Sequence, residues 1–207
     1  MTNNAYFNGK PIGGYINFDM PKLSSHIELV DGTIIEFNPD NTPFDNSHFQ
    51  ENITINGIDY GSEYNNIKGI VFNDDYNYVT SITFSFLWQN YDLEYVDLRG
   101  LKNVTSIMGR FINYCKNLSV LDISMFTKLT NIGSDFLYGA HINCEKCLKD
   151  IYIGNLDFSN INTAYAFMYS SFNDSSHKIH TTTQQLGNNF KAKAYNNCIS
   201  NWSVVVE

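Results

Sequence analysis

The chain has 207 residues with 43% hydrophobic, 15% aromatic and 16% charged content, and 13 Lys+Arg against 21 Asp+Glu leave a net charge of −8. That length suits one domain of ordinary size. The acidic balance argues against nucleic acid as the main partner and against a peripheral anchor on anionic lipid, since both need a basic face; the aromatic content argues against a disordered chain.

Met1 to Lys10 lack the basic-then-apolar order of a signal peptide, and no stretch approaches the roughly 18 apolar residues of a membrane span. Residues 1–61 read as a small β element. Hairpins are expected around Asn8-Gly9, around Asp31-Gly32 between Ile27–Val30 and Thr33–Phe37, and around Asn56-Gly57 within Ile53–Tyr60. Pro39, Pro43 and the polar run to Ser47 read as a linker. Asparagine is abundant, at 28 residues, which favours turns and polar ladders over long helices.

From residue 62 onward the chain repeats. Val79-Thr80-Ser81-Ile82 runs through Phe86 to Leu93-Glu94-Tyr95-Val96-Asp97-Leu98, and Val104-Thr105-Ser106-Ile107 runs through Phe111 to Leu118-Ser119-Val120-Leu121-Asp122-Ile123. Every matched position is offset by 25 residues. Leu129-Thr130-Asn131-Ile132 keeps the offset through Phe136, takes extra residues around His141–Cys147, and reaches Leu148-Lys149-Asp150-Ile151-Tyr152-Ile153. Fainter copies flank these. Ile67–Phe72 precedes them, while Ile161–Ala164, His177–Thr181 and Trp202–Val206 follow, and Leu186–Phe190 echoes Ile132–Phe136.

The six-residue motif predicts a short strand whose first, fourth and sixth side chains enter the core, stacked in parallel on its neighbours. The intervening Ile, Phe and Leu positions then fill a return arc. The fold class expected is mainly β: a solenoid of about five to six coils over residues 62–207, with a β-hairpin element over residues 1–61. That element either caps the first coil or docks the array to a larger assembly.

Asn117-Leu118-Ser119-Val120-Leu121-Asp122-Ile123-Ser124-Met125-Phe126, followed by Leu129-Thr130-Asn131-Ile132 and Phe136, resembles the BspA-like leucine-rich repeats of bacterial surface proteins. Phe111-Ile112-Asn113-Tyr114-Cys115 is similar to that family's Phe-x-x-x-Cys turn, and Asp157–Ile161 is a weaker echo. The resemblance covers about two thirds of the chain. It implies a leucine-rich-repeat solenoid used for adhesion or protein recognition, without catalysis.

Outward strand positions supply the candidate binding residues: Glu94, Tyr95, Asp97, Asp122, Lys149 and Tyr152. Asp97 and Asp122 share one position in adjacent coils, so they form a solvated acidic ladder relieved by Arg99 and Lys149, a cation site, or part of a recognition face. Tyr95 and Tyr152, with Trp88 nearby, offer rigid contact area.

Cys115 falls at the family's turn position. Cys198, four residues before Trp202, reads as its counterpart in the last coil. Some three coils apart, about 15 Å, the two lie beyond the roughly 7 Å Cα limit for a disulfide and read as small buried residues. His141, Cys144 and Cys147 form a weak zinc candidate, to which His177 or His180 could add a fourth ligand; no metal or cofactor is expected.

No nucleophile elbow, phosphate loop or His-Glu-x-x-His motif is present, and no carboxylate pair stands out, so the chain reads as non-enzymatic. Three functions fit: a module recognising a protein or surface glycan through its solenoid face, a structural or attachment protein of a phage virion, and an intracellular interaction scaffold. Cell surface, extracellular space or virion is favoured over cytoplasm. Neither nucleic acid binding nor membrane insertion is expected.

Overall fold

The computed structural model describes residues 6–7, 10–11, 24–45, 49, 53–137, 148–163, 175–194 and 199–207. Over these residues it is mainly β, with 30% strand and 15% helix. All three expected hairpins form: β1 (Tyr6–Phe7) with β2 (Lys10–Pro11), β3 (Ser25–Leu29) with β4 (Ile34–Phe37), and β5 (Thr54–Ile55) with β6 (Ile58–Asp59). At the third turn Asn56 and Gly57 take φ of 55° and 76°, the paired positive values that a two-residue hairpin loop requires.

The six-residue motifs form parallel strands in two sheets. β7 (Ile67–Val71) pairs with β9 (Tyr95–Asp97), Gly69 opposite Tyr95. β11 (Val120–Asp122) lies alongside β9. It pairs in parallel with β13 (Asp150–Gly154), which pairs with β15 (Lys178–Thr181), which pairs with β16 (Ser203–Val206). First, fourth and sixth positions point inward as expected. Leu93, Leu98, Leu118, Leu121, Ile123, Leu148, Ile151 and Ile153 are buried; Val96 alone of these positions is half-buried.

The expected irregular return arc is corrected in one respect, because each repeat carries a second strand. β8 (Ser81–Ile82), β10 (Ser106–Ile107), β12 (Asn131–Ile132) and β14 (Asn162–Thr163) form their own parallel ladder, with Ser81, Ser106, Asn131 and Asn162 in line. The β-branched run Val-Thr-Ser-Ile suits an extended backbone. Amides inside the run reach the neighbouring repeat: Thr105 N donates to Thr80 O at 2.8 Å, and Thr130 N to Thr105 O at 2.8 Å.

One turn recurs between the ladders. Val79, Val104, Leu129 and Ile161 each donate a backbone N–H to the carbonyl three residues earlier, on Tyr76, Leu101, Phe126 and Phe158. Asx turns precede it: the side chains of Asn73, Asp97, Asp122 and Asp157 each accept the N–H two residues on.

A column of phenylalanines fills the interior. Phe86 and Phe111 stack at 5.6 Å, Phe111 and Phe136 at 5.3 Å, with ring planes within 12° and 4° of parallel. Phe49, from the non-repeating region, extends the column at 6.3 Å from Phe86. Its carbonyl accepts from Leu87 N at 3.0 Å, as Phe86 O accepts from Ile112 and Phe111 O from Leu137. Phe49 therefore stands where a preceding repeat would place its phenylalanine. On the strand side β3 pairs antiparallel with β7, so the edge of that ladder is covered by a hairpin.

At the other end Leu186–Phe190 departs from its expected strand-and-arc role and lies in helix α1 (Gln184–Ala192). Thr183 caps it by accepting Leu186 N, and Gln184–Asn188 and Gln185–Asn189 hydrogen bonds run along its surface. Gly187 is needed for its close approach to β16, since a Cβ there would lie 2.5 Å from Val204.

Cys115 is buried and free, with its thiol donating to Leu87 O at 3.0 Å. Cys198, read as its counterpart, lies outside the described residues.

Candidate recognition surface

The six outward strand residues share one face, yet most are engaged within the fold. Tyr95 lies flat across Gly69, where any Cβ would meet its ring at 2.0 Å, and its hydroxyl donates to Glu28 Oε2 at 2.5 Å. Lys68 Nζ meets Glu28 Oε1 at 2.7 Å. The Lys68 and Tyr95 hydrogen bonds hold the Glu28 carboxyl below its usual range, while burial and the Glu28 carboxylate push the Tyr95 phenol up. Asp97 receives two guanidinium nitrogens of Arg99 as well as its backbone N–H. Asp122 accepts Ser124 N at 2.9 Å. The two carboxylates thus serve their own turns, and Arg99 relieves the first.

Tyr152 stacks on His180 with ring centroids 4.0 Å apart. Both imidazole nitrogens face carboxylates, Asp150 at 2.7 Å and Glu207 at 2.8 Å. His177 stacks on Trp202 at 5.0 Å. Neither histidine is placed by these contacts as a fourth zinc ligand, and His141, Cys144 and Cys147 lie outside the described residues. Among the described residues no three His, Cys, Asp or Glu side chains gather as a metal would need. Of the six candidates only Glu94 and Lys149 are well exposed.

The arc between β8 and β9, and its copies, carries the features that the sequence conceals. Ser85, Leu87 and Gln89 have φ of 64°, 52° and 59°; Arg110, Ile112 and Tyr114 have 59°, 50° and 61°; Asp135 and Leu137 have 60° and 58°. Left-handed backbone costs a bulky residue roughly 1–3 kcal/mol. Here the alternation turns successive amides toward neighbouring repeats. Ser85 N donates to Gly109 O at 2.9 Å, Arg110 N to Ser134 O at 3.0 Å, Gln89 N to Asn113 O at 2.7 Å and Ile112 N to Phe86 O at 2.9 Å. Gly109 and Gly133 permit the stacking, because a Cβ on either would lie 2.7 Å and 2.6 Å from the adjoining backbone.

Leu87, Ile112 and Leu137 are buried beside Phe86, Phe111 and Phe136, while other residues of the arc reach solvent. The Arg110 guanidinium lies 5.1 Å from the Phe84 ring and 5.2 Å from the Trp88 ring. Lys116 lies 5.4 Å from the Tyr91 ring. Phe84, Tyr91 and Met108 are 47%, 41% and 47% exposed, so the arc presents large apolar groups interleaved with two cations to solvent.

No family model, curated protein or solved structure matches the chain. No helix among the described residues is long and apolar enough to cross a membrane. Trp88 was the one arc residue suggested by the sequence; Phe84, Tyr91, Met108 and Arg110 were missed. Their only advance signal was Gly109 beside Arg110, since the positive φ of non-glycine residues has no sequence signature.

Proposed function

We propose that the chain is a leucine-rich-repeat solenoid of the BspA-like kind, capped by its N-terminal hairpins, that acts without catalysis by binding a protein partner. The single observation that carries the function is the Phe84–Arg110–Trp88 cluster, exposed beside Met108 and Tyr91 on a strained arc. Aromatic residues, Met and Arg are the types enriched at protein interfaces, and local strain gathers at functional positions. The arc displaces the outward strand face as the preferred surface, because Tyr95, Asp97, Asp122 and Tyr152 already satisfy one another or their neighbours.

A photo-crosslinking amino acid at Met108, introduced in intact producing cultures, tests this reading, with the same group at exposed Lys128 as control. A protein adduct formed from position 108, absent from position 128 and lost on Trp88→Ala/Arg110→Ala, is the expected result. Equal adducts from both positions, or adducts indifferent to the double substitution, would refute it. Binding to a glycan array that the same substitutions abolish would reassign the partner to a glycan.

A further inference from the structure

The β8 ladder has a direction. In each repeat the backbone amides donate to the repeat before: Thr105 and Ser106 to Thr80 O, Met108 to Ile82 O, Thr130 and Asn131 to Thr105 O, Gly133 to Ile107 O. The equivalent amides of the first repeat belong to Thr80, Ser81 and Thr83. No carbonyl among the described residues accepts from them, and β8 is the outermost strand of its ladder. The Ser81 carbonyl, equivalent to that of Ser106, faces the same way.

The two ends of this ladder are treated differently. At the β14 end, Lys193 Nζ bonds the carbonyl of Ile161 at 2.9 Å, supplying a donor where a further repeat would have supplied an amide. At the β8 end Thr80 and Ser81 are exposed, and a groove of about 630 Å³ runs along the edge. Its walls are Tyr78, Val79, Thr80, Ser81 and Thr83 on one side, Phe44 and Asp45 on the other. That volume lies within the usual range for ligand sites, roughly 300–1,000 Å³. The Phe44 backbone is held across it by donating to the Tyr78 hydroxyl at 3.1 Å.

We infer that this groove receives an extended peptide of a partner protein, added as a parallel strand on the open edge of β8. Three amides and one carbonyl define the hydrogen-bond pattern the peptide must meet. The ladder's own translational repeat defines its side chains: a segment like Val-Thr-Ser-Ile, the motif that both adjacent repeats place here. Its apolar side chains pack against Phe44 and Val79. The site stands on the ladder geometry, and none of the arc's aromatic residues lines it.

The probe is the acetylated, amidated hexapeptide Val-Thr-Ser-Ile-Thr-Lys, titrated into the isotopically labelled chain with amide shifts and hydrogen exchange as readout. Saturable shifts at residues 44–45 and 78–83, with slowed exchange at Thr80, Ser81 and Thr83, are expected. Ser81→Pro removes an outward amide from an edge strand, where proline is tolerated, and should weaken binding about tenfold. Methylating the peptide's Ile nitrogen, the donor to the Ser81 carbonyl, should abolish binding without altering the protein.

The absence of saturable shifts, or binding indifferent to both Ser81→Pro and N-methylation, would overturn the proposal. Concentration-dependent shifts of the same amides without peptide, lost in Ser81→Pro, would make a second copy of this chain the occupant and overturn the assignment to a partner peptide.

Discussion

Replacing Phe111 tests whether the phenylalanine column carries the fold. Its ring is fully buried, stacked between Phe86 at 5.6 Å and Phe136 at 5.3 Å. Phe111→Ala removes that ring and leaves a cavity that the two flanking repeats, tied by Leu137 N to Phe111 O, cannot close. The cost expected is about 3–5 kcal/mol, comparable to the whole stability of a weak domain. Phe111→Leu keeps most of the apolar volume and forfeits chiefly two ring contacts, so about 1–3 kcal/mol is expected. A Phe86→Leu/Phe111→Leu double variant loses their shared contact only once. It should therefore fall short of additivity by about 0.5–1.5 kcal/mol. Urea unfolding of these three variants and of Phe86→Leu alone, followed by fluorescence of Trp88 and Trp202, measures all four differences. A Phe111→Ala cost below about 1 kcal/mol, or strict additivity in the double variant, would refute the column as a cooperative core.

Three further outcomes are expected. Asn90 is fully buried with neither side-chain nitrogen nor oxygen partnered, and it occupies the position that Cys115 holds one repeat later. Asn90→Cys should therefore raise stability by about 1–2 kcal/mol in urea, and a loss would show that the amide is needed. Glu28 ionises below its ordinary 4.5 because Lys68 and Tyr95 bond its carboxylate. A depressed folded value contributes stability above pH 4.5 that disappears as pH falls through the folded value; Glu28→Gln should thus be destabilising near neutrality and indistinguishable from the parent in strong acid. Urea midpoints across that range decide, and a gap that widens on acidification contradicts the pairing. Burial pushes the Cys115 thiol well above its usual range. Mass spectrometry should find it unmodified by iodoacetamide in the native chain and labelled in urea; native labelling would mean that the arc opens.

The strand side of each repeat was legible because its apolar residues recur at the first, fourth and sixth positions of one six-residue motif. Leu118, Leu121 and Ile123 face inward and Ser119 and Asp122 do not, which hydropathy alone reports. Asn56-Gly57 and Asp31-Gly32 were legible for another local reason, since their turns demand positive φ. The second ladder was not. Ser81–Ile82 and its copies are two-residue strands, too short for alternation to register, and only pairing between repeats makes them strands. Leu186–Phe190 misled for the converse reason. Its spacing copies Ile132–Phe136, but Thr183 caps a helix there and the Gln–Asn pairs sustain it.

The candidate surface was harder to read than the fold because its residues are brought together only by contacts between repeats. Tyr95 and Asp97 were plausible binding residues from alternation alone, and alternation did place them outward. It could not show that Glu28, forty residues from Lys68 and 67 from Tyr95, reaches across β7 to bond both. Conversely, Phe84 and Arg110 lie 26 residues apart with no shared periodic position. They meet because Gly109 lets the Phe84 ring cross the next repeat's backbone, beside which the left-handed Arg110 turns its guanidinium. Long-range pairing silenced the legible face and alternate left-handed backbone built the concealed one. In a stacked repeat, which side chains reach solvent is therefore decided by the pairing between neighbouring repeats and not by periodicity alone.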